Sequence, residues 1–167
     1  NLARTGYTFA GWNTAADGNG DDYAEGAIYA SDADVTLYAK WTANQYTVSY
    51  DANGATSGTA PDEQTKNEGV DLTLATNSGN LARTGYTFVS LHAAVPICGD
   101  DYAEGATYAT DADVTLYAKW TANQYTVTLD PQGGSGGSTI VIATYGSAMP
   151  TATAPSKTGV VFDGYYT

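Results

Sequence analysis

The sequence predicts a mainly β protein assembled from tandem repeat modules of about 79 residues. Composition gives the first reason: Tyr supplies 14 of 167 residues beside many Thr and Val, a mix that suits pleated, half-buried surfaces. The 19 Gly residues, set between alternating segments, supply the turns. Self-similarity gives the strongest reason, because NLARTGYTF at Asn1 to Phe9 recurs at Asn80 to Phe88, an offset of 79. Comparing 1–49 with 80–128, 37 positions are identical, and nine of the twelve differences fall where AGWNTAADGN (10–19) is replaced by VSLHAAVPIC (89–98). A third start follows at Lys157 to Thr167, KTGVVFDGYYT.

The elements follow in order. GYTFAGW (Gly6 to Trp12) alternates and predicts a strand. The Gly-, Asp- and Asn-rich stretch from Asn13 to Asp34 predicts a long hairpin connection. DVTLYAKW (Asp34 to Trp41, again Asp113 to Trp120) predicts the next strand, with Tyr38, Lys40 and Thr42 on one face and Leu37, Ala39 and Trp41 on the other. YTVSY (Tyr46 to Tyr50) and YTVTL (Tyr125 to Leu129) are strands that enter the turns DANG and DPQGGSGG. DLTLAT (71–76) and STIVIATY (Ser138 to Tyr145) are further strand candidates. No amphipathic stretch of ten residues is present, so any helix is short, with Ala60 to Asn67 and Ser147 to Thr153 the places for one, small α+β content at most.

Charge and cysteine content narrow the function. A net charge of −12 with only 6 Lys and Arg argues against nucleic acid or an anionic membrane as a direct partner. No apolar run approaches the ~20 residues of a membrane span, and no basic segment leads into an apolar one, so these residues are expected to hold neither a span nor a signal peptide. A signal upstream would still suit a secreted protein. The one cysteine, Cys98, rules out an internal disulfide and a cysteine metal cluster, so stability must come from packing.

Several residue groups carry candidate chemistry. Asp17, Asn19 and Asp21 of DGNGDD, with Glu25, place oxygens at alternate positions like the start of a calcium loop. The twelfth position, where a bidentate Glu belongs, is Ile28, and the second copy keeps Asp100, Asp101 and Glu104 but has Pro96 and Cys98 for Asp17 and Asn19. Ordinary turn chemistry explains the same residues. Trp12, Trp41 and Trp120 could stack on sugar rings, although a module with three Phe and one Met also needs Trp and Tyr for its core. Lys40 and Lys119 invite comparison with lysines that form isopeptide bonds, yet their strand position puts them on the solvated face. His92 and Cys98 lie six residues apart without an orienting group or oxyanion hole, and GGSGG (Gly133 to Gly137) lacks the Lys and helix of a phosphate loop. No catalytic residue and no cofactor are expected.

YTVSYDANG, RTGYTFAGWNTAADGNG, the Tyr-Ala-Glu-Gly segment and ADVTLYAKW together resemble the Listeria-Bacteroides repeat family, related to internalin B-repeats of bacterial surface proteins. The resemblance covers essentially the whole chain and implies β-grasp-like modules carried in tandem on secreted or wall-anchored proteins. In its frame, 45–121 is one complete module, 1–43 the C-terminal half of an earlier one, and 124–167 the N-terminal part of a later one. The half-modules are expected to pack on the centre or to complement each other between molecules. The expected function is a non-enzymatic extracellular spacer that displays other domains at a bacterial surface. The alternative is an adhesin module that binds host glycans or matrix proteins through repeated surfaces.

Overall fold

The computed structural model describes residues 2–93 and 99–166, and no helix occurs among them. The strands, in chain order, are β1 (Tyr7–Asn13), β2 (Asp22–Tyr23), β3 (Tyr38–Ala43), β4 (Gln45–Asp51), β5 (Gln64–Asn67) and β6 (Leu72–Thr73). They continue as β7 (Tyr86–Ala93), β8 (Asp101–Tyr102), β9 (Thr107–Tyr108), β10 (Val114–Ala122), β11 (Gln124–Thr128) and β12 (Ile140–Thr144). Neither place reserved for a short helix holds one. Ala60 to Asn67 gives its end to β5, whose backbone groups are paired with β4 from Gln45↔Asn67 to Val48↔Gln64. Ser147 to Thr153 contains Pro150, which denies a helix its donor and pushes Met149 out of helical geometry.

Three antiparallel strands in the order β2-β1-β3 form the first sheet. The central sheet has five, in the order β5-β4-β10-β7-β8, and β4 and β10 run parallel at its middle. β6 pairs with β9 and β11 with β12, both antiparallel. The core lies on the central sheet, where Val48, Leu74, Leu91, Ala93, Tyr108 and Leu116 are buried, with Tyr50, Leu72, Phe88, Tyr102 and Val114 packed around them. Along β10 the alternation holds as the sequence predicts: Leu116 and Ala118 are buried, while Lys119 and Thr121 are exposed.

The two copies of that strand begin at different places. β10 starts at Val114, close to the expected Asp113, whereas β3 starts only at Tyr38, four residues past Asp34. In β10, residues Val114 to Tyr117 are held by β4 through the register Val114↔Val48 to Tyr117↔Asp51. β3 is the edge of its sheet and has β1 on one side only. Without a second neighbour, Val35 to Leu37 have no ladder to join.

A β-bulge is repeated as well. Register shifts past Ala10 in β1, between Phe9↔Trp41 and Gly11↔Lys40, and past Val89 in β7, between Phe88↔Trp120 and Ser90↔Lys119.

Single residues link the sheets. Asn44 joins β3 to β4: its N–H donates to Gly6 O and its carbonyl accepts from Glu68 N–H, both at 2.9 Å. Asn123 joins β10 to β11 by the same scheme, donating to Gly85 O and accepting from Tyr145 N–H, again at 2.9 Å. Thr8 and Thr87 hydroxyls bond the Asn44 and Asn123 side chains at 3.0 and 2.6 Å. Gly6 (φ +76°) and Gly85 (φ +78°) sit directly under these links. A Cβ at Gly6 would lie 2.0 Å from the Glu68 carboxylate, and one at Gly85 would lie 2.2 Å from the Tyr145 ring. Both conformation and space therefore call for glycine.

Candidate functional site

The acidic residues, His92 and the two lysines singled out by sequence lie toward the turn ends of the two hairpins. In the first copy, Asn13 ends β1 with its side chain buried. Its Nδ2 donates to Gly18 O, Gly20 O and Asp22 Oδ1 at 3.2, 3.0 and 2.7 Å, while its Oδ1 accepts from the Ala15 and Gly20 N–H groups at 2.8 and 3.0 Å. One amide side chain thus bonds four backbone groups of the turn. Asp17 accepts the Asn19 N–H at 3.0 Å, and that bond holds its carboxyl below the usual range. Asp22 lies 2.5 Å from Lys40 Nζ, and Lys40 first, then Asn13, lowers its pKa. Asp21 and Glu25 are exposed. The calcium-loop residues are therefore spread over an Asn-centred turn, and no group of three or more His, Cys, Asp or Glu side chains converges among the described residues.

In the second copy, His92 occupies the position of Asn13 and takes over one of its bonds, with Nδ1 2.8 Å from Asp101 Oδ1. Lys119 pairs with the other carboxylate oxygen of Asp101, as Lys40 does with Asp22. Lys119 first and His92 second keep Asp101 below the ordinary carboxylate range. The turn still closes: Ala93 N–H donates to Asp100 O at 3.1 Å, matching Thr14 N–H to Asp21 O at 3.0 Å. Cys98, paired with His92 in the sequence reading, lies outside the described residues, as do Val95, Pro96 and Ile97.

The tryptophans are not brought together into one surface. Trp12 and Trp41 both pack edge-on against Phe9, with centroids 5.3 and 5.6 Å away. Trp120 makes the same contact with Phe88 at 5.6 Å in the other copy, where buried Leu91 stands in place of Trp12. Trp120 Nε1 and Ser90 Oγ are buried without a hydrogen-bond partner among the described residues.

Sequence reasoning passed over one charged pair. Lys66 on β5 has a fully buried side chain, donates to Asn67 O at 3.0 Å and pairs with Asp111, which also accepts the Gly69 N–H at 3.1 Å. Lys66 holds the Asp111 carboxyl below its ordinary pKa. This pair ties β5 to the loop before β10, and the Q-T-K-N alternation at 64–67, which turns Lys66 inward with Gln64, was its only signal. The linking role of Asn44 and Asn123 left a clearer trace, since both follow the same YAKWTA.

Comparison with known proteins agrees with this repetition. The Listeria-Bacteroides repeat domain matches residues 1–40, 46–119 and 125–167. A protein of Evansella cellulosilytica named as a Gly-rich membrane protein is 37% identical over 172 residues, covering 99% of this chain and 20% of that protein. Internalin H of Listeria monocytogenes is 32% identical over 122 residues, covering 72% of this chain and 20% of its own length. The chain thus spans about a fifth of these relatives. No solved structure matches it. With matches to all three segments, the chain belongs to the Listeria-Bacteroides repeat domain family.

Proposed function

We propose that the chain is a non-enzymatic extracellular spacer of a bacterial surface protein, which holds other domains away from the cell. One observation carries this reading: the same single-residue link, bonded on both sides at Asn44 and at Asn123, joins each sheet to the next. Repeated links of one geometry add length in equal steps without adding distinct sites. The names of the relatives, a membrane protein and an internalin, fit a place at the cell surface. In this reading 45–121 is one module, and 1–43 and 124–167 are parts of its neighbours.

The test is small-angle scattering on arrays of increasing module number, run beside a glycan and matrix-protein binding array. A spacer lengthens in proportion to module number and binds nothing. A ligand lost on truncating Trp12, Trp41 or Trp120 would replace the spacer with an adhesin.

The flanks also propose a partner. Residues 35–38 and 127–130 are the counterparts of those that pair in parallel between β10 and β4, so in the isolated chain a second copy would supply the missing half, Val35 beside Val127 and Leu37 beside Leu129. Mass that rises with concentration supports this, and a monomer at about 100 µM excludes it.

A further inference from the structure

The chain enters and leaves the central sheet along two strands that lie side by side. β4 begins at Gln45, directly after the link at Asn44, and β10 ends at Ala122, directly before the link at Asn123. The two strands are parallel, in register from Val48↔Val114 to Asp51↔Tyr117. The incoming end of β4 and the outgoing end of β10 are therefore at opposite ends of one ladder. Tension along an array draws β4 and β10 past each other along their own axes. Every bond between them is then loaded together in shear, whereas a hairpin pulled from its open end loses its bonds one at a time.

The surroundings strengthen this ladder. Val48 and Leu116, one from each strand, are both 0% exposed on the core face. Asn53, just past β4, donates from Nδ2 to Ala118 O on β10 at 2.8 Å. At the other end, Asp113 accepts the Thr47 N–H at 2.7 Å. Load passes to each neighbour with little slack, because Asn44 and Asn123 are single residues whose backbone groups are already bonded. β5 is paired with the incoming residues of β4 and β7 with the outgoing residues of β10, so each backs the strand that it flanks.

We infer that the central unit is a mechanical clamp, and that the spacer bears tension rather than only setting distance. The inference rests on the spacer reading above.

The experiment stretches the whole chain one molecule at a time, with Cys98→Ser in every variant so that attachment points are defined. Held by its termini, the chain should give a discrete rupture that releases residues 45–122, about 25 nm of contour length. Held instead through Gln45→Cys and Ala112→Cys, which lie at the same end of β4 and β10, the same fold is unzipped, and its rupture force should fall at least about twofold. Equal forces in the two arrangements, or extension without a discrete rupture, would overturn the clamp. Either result would leave the spacer reading to the scattering experiment, which alone decides it. A thermal melt of each variant confirms that the sheet being pulled is folded.

Discussion

Residues 1–43 and 80–122 are near copies, yet the same side chains meet different fates. Leu37 is half-buried, whereas its counterpart Leu116 is fully buried. Tyr29 is 40% exposed, whereas Tyr108 is 3% exposed and pairs across to β6 through Leu72. Identical residues acquire a core only where β4 to β6 lie against them. The copies also differ within their hairpins, and there the outcome reverses: Asn13 has become His92, yet strand register, bulge and closing bond persist. Pairing with β3 or β10 sets the hairpin, and the turn chemistry is replaceable.

The comparison breaks most visibly at its leucines. Leu116→Ala should cost about 3 kcal/mol of central-sheet stability, and Leu37→Ala under about 1 kcal/mol, read by denaturant unfolding of each variant. Equal losses would mean that the first sheet carries a core of its own.

Next come the turn residues. Asn13→Ala leaves several half-buried backbone groups without their partner and should cost the first hairpin about 1–2 kcal/mol, measured by amide exchange across 7–23. His92→Ala removes one half-exposed bond and should barely change exchange across 86–93. The bulges give a smaller effect. Gly11 has φ +113° and faces Tyr23 O, so Gly11→Ser should destabilise by about 1 kcal/mol, while Ser90→Ala, which removes an unpartnered hydroxyl, should be neutral or slightly stabilising. A thermal melt of both variants checks the sign.

Acid should act on the copies alike and most gently. Asp22 and Asp101 are depressed by Lys40 and Lys119, so their ionised forms stabilise the fold. That contribution is complete above the ordinary carboxylate pKa of about 3.9 and is lost as pH falls through the lower folded values. Urea midpoints between about pH 5 and pH 2.5 follow it. Asn13→Ala should bring the first copy's loss to higher pH, because it removes a donor to Asp22.

Much of this was legible in the sequence. The alternation of YTVSY and DVTLYAKW placed β4, β10 and the solvated face of Lys40 and Lys119, because period-2 burial is a local property. The parallel contact of β4 with β10 was not legible, since it joins Val48 to Val114 across a long stretch of chain with no turn to announce it. Strand onset failed in one copy for the same reason, as Val35 to Leu37 need a neighbour that propensity does not supply. At the hairpin ends, the acidic residues drew notice while Asn13 did the organising, because a buried amide has no composition signature.

The links at Asn44 and Asn123 have one more consequence, for wear. A protease needs several consecutive residues that it can draw out and bind in extended form, and exposed turns offer them. Between sheets there is one residue, already bonded to both sides. Digestion should therefore nick the chain at exposed stretches such as 24–34, where the pairing of β1 with β3 still holds the cut pieces together. A weathered chain would lose its turns while its sheets stay joined.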